Sequence, residues 1–145
     1  MKMVDVNILI YAHRRDDPNH EFYREWLDSL AAGPEPFALS SLVAVAFVRI
    51  VTHPKFPPEP TPLPLALAVV ECLRATGNCR FLQEGVRHWS LFRQLVEGSG
   101  ATGKKVADAQ HAALALEHGC TWVTRDQDFV AFQKQGLRVD ILRPV

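Results

Sequence analysis

Short runs rich in Val, Ile and Leu alternate along this chain with stretches where apolar residues return every three or four positions, a change of period that predicts strands interleaved with amphipathic helices. The run 3–11 is Val- and Ile-rich and short for a helix, so it predicts a buried parallel strand with Asp5 inside it. Asp16-Asp17-Pro18 then supplies a helix start, and Phe22, Tyr23, Trp26, Leu27 and Leu30 follow at helical spacing until Gly33-Pro34. Phe37-Ala38-Leu39 predicts a second strand, and Ser40 or Ser41 can cap an apolar helix over 42–51.

Between residues 53 and 64 six prolines forbid regular structure and predict a loop. Helical spacing resumes over 65–75, and Trp89, Phe92, Leu95 and Val96 mark another helix. The segment 98–103 is glycine-rich and flexible, of the kind that clamps substrates beside a site. Val106, Ala109, Ala113 and Leu116 share one helix face closed by Gly119. Thr121 to Thr124 predicts a strand, Phe129 and Phe132 begin a further helix, and 137–142 make a last strand. The sum is an α/β fold: a single domain spanning 1–145, with a central, mainly parallel sheet flanked by helices.

Composition narrows the function classes. At 145 residues with 48% hydrophobic content the chain can bury a core without staples. Sixteen acidic residues balance sixteen basic ones, so any contact with a polyanion needs a local patch of positive charge. Cys72, Cys79 and Cys120 match no zinc or redox spacing and read as thiols in a reducing, cytoplasmic setting. Asp5 and Asn7 interrupt the apolar start, so it does not read as a signal peptide, and no apolar run is long enough to span a bilayer.

The candidate chemistry lies in the carboxylates. Asp5 falls in an apolar run at the head of the chain, and Asp126 and Asp128 follow another near its tail. An acid in such a place is costly to bury unless a cation or hydrogen bonds compensate. In open parallel sheets, sites form beyond the C-terminal strand ends, which places these acids to converge with Asp108 on the late helix. Several carboxylates in one pocket call for a counter-charge, and an all-oxygen ligand set suits Mg²⁺ or Mn²⁺, the ions of phosphodiester hydrolysis. Each acid also has a plainer reading: Asp108 as a helix N-terminal charge, Asp126 or Asp128 as a helix cap.

Three segments, Asp5-Val6-Asn7-Ile8-Leu9-Ile10-Tyr11-Ala12, Val106-Ala107-Asp108-Ala109-Gln110-His111 and Trp122-Val123-Thr124-Arg125-Asp126-Gln127-Asp128-Phe129, together resemble the PIN-domain ribonucleases, above all the VapC toxins of bacterial toxin–antitoxin pairs. The likeness extends over the whole chain and includes Arg49-Ile50-Val51-Thr52-His53-Pro54. It implies a metal-dependent endoribonuclease with an RNA substrate, a VapB-type antitoxin as partner and a homodimer as the minimal unit. It also implies Asp5 and Asp108 as principal metal ligands and Asp126 as a further acid. Asp128 would assist through water or cap the helix, with Asn7 and Thr124 supporting.

The sequence departs from the family pattern at one point: where a glutamate usually stands, Ala44-Val45-Ala46-Phe47 offers only alanine, at Ala46. Glu21 is a possible replacement. Arg14, Arg15, Lys104, Lys105 and Arg125 are candidates for holding phosphates, and His13, His20 and His111 for proton transfer. Two rival readings remain: a PIN-fold binding protein that lost activity with its glutamate, and a haloacid-dehalogenase-like phosphatase, which would want a second acid where Asn7 stands.

Overall fold

A computed structural model describes residues 1–145. Five strands form one sheet: β1 (Lys2–Val4), β2 (Phe37–Ser40), β3 (Cys79–Leu82), β4 (Thr121–Thr124) and β5 (Arg138–Ile141). Their order is β3-β2-β1-β4-β5, and every pairing is parallel. Met3 and Val4 are buried, as are all four residues of β2 and Trp122, Val123 and Thr124 of β4. Successive strand side chains point to opposite faces, so burial of consecutive residues means that both faces are covered. Six helices supply the cover: α1 (Val6–His13), α2 (His20–Ala32), α3 (Ser41–Val51), α4 (Leu63–Arg74), α5 (His88–Ser99) and α6 (Lys104–Glu117), with a 3₁₀ segment at Gln127–Gln135. Helix α1 packs on both α2 and α3, and α3 on α4, while α5, α6 and the 3₁₀ segment form a second group. None of the helices is long and apolar enough to cross a membrane.

The head of the chain differs from its sequence reading. The first strand stops at Val4, and Asp5 is the N-cap of α1, its side chain accepting from the Val6 N–H. Asp5 is therefore not a strand-interior acid: it sits at the strand-to-helix turn, where a carboxylate satisfies a free helix N–H. Three further differences are smaller. The edge strand β3 has no counterpart in the sequence reading, α4 starts inside the proline-rich stretch with Pro64 in its first turn, and the segment after Asp126 is 3₁₀. Ser40 caps α3 through a 3.0 Å bond to the Val43 N–H. Gly119 follows the end of α6 at φ 65°, where a residue with a Cβ would be strained.

Candidate active site

The strand order reverses at β1, whose neighbours β2 and β4 lead to opposite halves of the sheet. That is where a crevice opens beyond the C-terminal strand ends in doubly wound folds. Asp5 leaves β1 there, Asp126 leaves β4 two residues after its last strand residue, and Asp108 comes from the second turn of α6. Burial of Asp108 contradicts its reading as a solvated first-turn charge: it is only 8% exposed, among the buried residues Ala109, Ala112 and Ala113.

The tightest acidic group is Asp108, Asp126 and Asp128, each offering a carboxylate oxygen within 4.8 Å of the others. Asp126 caps the 3₁₀ segment by accepting from the Asp128 N–H at 2.9 Å, and this turn draws the two acids together. Asp126 is thus both a cap and a member of the cluster. Asp5 stands outside the triad but beside it, close enough that the charges of Asp126 and Asp108 raise its pKa.

A small polar network fixes Asp5. Thr124 Oγ1 lies 2.6 Å from Asp5 Oδ2 and accepts from the Asp126 N–H at 2.9 Å and from Asn7 Nδ2 at 3.3 Å. Asn7 Oδ1 accepts in turn from the Arg125 N–H at 3.3 Å, which sets which end of the amide faces Thr124. The other carboxylate oxygen, Asp5 Oδ1, accepts from Val6 N at 2.6 Å. Burial pushes the Asp5 carboxyl up to about 6 against the lowering effect of the Thr124 and Val6 bonds. The Asp108 carboxyl is also raised, chiefly by burial, with Lys104 opposing and Asp126 and Asp128 reinforcing. Its Oδ2 is buried with no hydrogen-bond partner. An orphaned acceptor in a crowded all-oxygen cluster fits a hard divalent cation.

The other candidates separate clearly. Lys104 reaches the cluster, its ammonium 3.5 Å from Asp126 Oδ2 and 3.9 Å from Asp128 Oδ2. Arg14 instead pairs with Asp16 at 3.0 Å, and Arg15 and Lys105 are exposed. Arg125 turns away from the acids to lie over the ring of Tyr11 at 3.8 Å. Glu21 is exposed and outside the acidic triad, and the half-buried Ala46 on α3 has no carboxylate to offer. His13 bonds Thr61 and His20 bonds the Tyr11 carbonyl. His111 stacks on Trp122, and burial pushes its imidazole down to about 4, so the ring is neutral at pH 7.

The family model of the PIN domain matches residues 2–135, nearly the whole described fold. The chain belongs to the PIN-domain family. Within it, the chain is 42% identical over 134 residues to ribonuclease VapC43 of Mycobacterium tuberculosis, a match covering 92% of this chain and 91% of that protein. It is 39% identical over 132 residues to ribonuclease VapC25 of the same organism, covering 91% and 93%. These identities place it among the VapC proteins. In three dimensions this VapC chain is similar to VapBC2 of Rickettsia felis bound to a promoter DNA fragment, with a TM-score of 0.67 at 18% identity, covering 96% of each chain. It is likewise similar to Mycobacterium tuberculosis VapC20, a sarcin–ricin-loop-cleaving toxin, with a TM-score of 0.66 at 16% identity, covering 99% and 100%. At these identities the structural likenesses bear on the fold.

Proposed function

We propose that this VapC chain is a metal-dependent endoribonuclease, the toxin of a type II toxin–antitoxin pair. In this reading Asp5, Asp108 and Asp126 hold a Mg²⁺ or Mn²⁺ ion, with Asp128 contributing. The observation that carries the reading is the buried Asp108, which has an unpartnered Oδ2 and brings a carboxylate oxygen within 4.8 Å of those of Asp126 and Asp128, an arrangement that calls for a cation. The curated relatives named above are ribonucleases, and the VapBC structure pairs such a protein with a second chain. A bound divalent ion supplies charge neutralisation and Lewis-acid polarisation at a phosphodiester.

The chain's own groups do the rest. Thr124 and Val6 hold the Asp5 carboxylate in one orientation, and the Asp126 cap sets the spacing to Asp128. Lys104 is placed to meet a phosphate drawn to the acids. Asn7 braces Thr124 and Arg125, so position 7 offers no second acid for a dehalogenase-like phosphatase. An antitoxin segment carrying an arginine would neutralise the same carboxylates and block the site. A homodimeric toxin acting in the cytoplasm belongs to the same reading.

The test is cleavage of RNA with and without Mg²⁺, comparing wild type with Asp5→Ala and Asp108→Ala. Metal-dependent cleavage lost in both variants is the expected result. Persistence of cleavage in both would show that the site is elsewhere. An inert wild type under every metal would favour a binding protein that kept the fold alone.

A further inference from the structure

A polar concavity of about 390 Å³ is lined by Asn19, Tyr23, Arg125, Arg143 and Pro144, and Arg125 directly precedes Asp126 of the acidic cluster. Two of the five lining residues are arginines and none is acidic, in a protein whose total charge is zero. Neither arginine forms a salt bridge. The Arg125 guanidinium stacks over the ring of Tyr11 at 3.8 Å and stands 5.3 Å from that of Tyr23, and its Nη1 is buried without a hydrogen-bond partner. Tyr23 is itself fixed, donating from its hydroxyl to the Leu142 carbonyl at 2.9 Å. Arg143 Nη2 donates to the Arg125 carbonyl at 3.4 Å, which keeps the second cation near the first.

Stacking fixes the plane of a guanidinium before any ligand arrives, so less side-chain freedom is lost when it binds one. Two guanidinium forks without a carboxylate partner, one of them stacked, suit a phosphate. The position relative to the acids decides which phosphate. Arg125 stands between Thr124, which orients Asp5, and Asp126 of the acidic triad, and the side chains of Arg125 and Asp126 diverge from one turn. One turn therefore carries both an acid of the cluster and the stacked guanidinium of the concavity.

We propose that Arg125 and Arg143 form a phosphate subsite that holds the RNA backbone beside the scissile bond. The proposal rests on the ribonuclease reading for its substrate. The subsite reads no base: it fixes the path of the strand and supplies salt-sensitive affinity.

The test is binding of a short fluorescein-labelled single-stranded RNA of mixed sequence, followed by anisotropy across a salt series. All proteins carry Asp108→Asn so that the RNA is not cut. Arg143→Gln, Arg125→Gln and the double variant are compared with Arg80→Gln on the edge strand β3, which removes an equal charge far from β4. Each single variant should lower the slope of log K against log salt by about 0.7, and the double variant by about 1.4, with Arg80→Gln unchanged. In the Asp108 background-free enzyme, Arg143→Gln should raise KM for RNA and leave kcat in place. Arg143 is solvent-exposed, so its variant carries the test if Arg125→Gln is unstable.

Unchanged slopes in the Arg143 and double variants, or an equal fall in Arg80→Gln, would overturn the subsite. So would loss of affinity for the cognate antitoxin with RNA binding intact, because the occupant would then be a protein carboxylate. If the wild type cleaves RNA with Mg²⁺ while these slopes do not move, the subsite falls and the nuclease stands. If the slopes move as expected and no RNA is cut, the subsite stands and the catalytic reading falls.

Discussion

Thr124 Oγ1 and Asp5 Oδ2 are 2.6 Å apart, joining the end of β4 to the cap of α1 across 119 residues of sequence. A hydroxyl has one hydrogen to donate and two lone pairs. Both lone pairs of Thr124 are engaged, by the Asp126 N–H and by Asn7 Nδ2, so its hydrogen is committed to Asp5. One buried side chain therefore orients an acid from each end of the chain.

Replacing Thr124 by valine keeps the shape of a fully buried residue and removes all three bonds. The expected cost is about 2 kcal/mol or more of unfolding free energy, because buried polar groups lose their partner. Metal affinity and RNA cleavage should fall roughly 10–100-fold, as for groups that orient metal ligands. Thr124→Ser, which keeps the hydroxyl, should recover most of both. Chemical denaturation and cleavage assays on the two variants check this, and a fully active Thr124→Val would show that the network does not position the acids.

Asp108→Asn separates stability from function. The wild-type carboxylate is buried, has an unpartnered oxygen and lies against two other acids, so its charge opposes folding when no cation is present. The neutral amide should raise Tm in EDTA at neutral pH and lower cleavage at least 100-fold. Adding Mn²⁺ should stabilise the wild type by about 2.7 kcal/mol at a metal concentration 100 times Kd, seen as a higher Tm, and leave the variant unmoved. Thermal melts with and without Mn²⁺ read both effects. A variant less stable than wild type in EDTA would contradict the charge-crowding argument.

The candidate cluster was legible in part: Asp5 and Asp126 stand out as acids beside apolar runs, where a carboxylate is costly to bury, whereas Asp108 lies on a helix and joined them through its position and the family resemblance. Helix α1 was not legible. Its Val, Ile and Leu residues carry no polar face, and a run of that length fits a buried strand as well as a buried helix. What decides it is the turn at Asp5: β1 is paired for only three residues, and the Asp5 side chain takes up the Val6 N–H. The misread helix also hid the setting of Arg125, since Tyr11 meets its guanidinium only when residues 6–13 are helical. Strand β3 was missed because its residues are half-buried or exposed at the sheet edge and leave no continuous apolar run. Asp128 joins the triad through an N–H bond to Asp126, a local turn that spacing alone leaves open between capping and ligation.

His111 gives a pH dependence of defined sign. Burial pushes its imidazole from 6.5 down to about 4, so the unfolded chain binds a proton that the folded chain refuses between these values. Stability from the neutral ring is therefore complete above about pH 6.5, declines as the pH falls, and is fully lost below about 4. The size is roughly 3 kcal/mol by linkage. His111→Phe keeps an aromatic ring against Trp122 and removes the proton, so its unfolding free energy should lack this decline. Denaturation of both proteins from pH 7 to 4 tests it, and parallel curves would mean that His111 is not the group responsible.

Lys104 competes for the acids that would hold a metal. Its ammonium is 3.5 Å from Asp126 Oδ2 and 3.9 Å from Asp128 Oδ2, while the side chain stays largely in solvent. Exposed pairs of this kind are worth at most about 1 kcal/mol, so a divalent ion displaces the lysine easily and at a small cost. Lys104→Ala should then tighten Mn²⁺ binding by up to about fivefold, the factor equivalent to that energy. The gain should shrink in high salt, where exposed charges are screened. Calorimetric titration of the two proteins with Mn²⁺ at low and high ionic strength measures the effect. Weaker binding by the variant would mean that Lys104 supports the ion instead of opposing it.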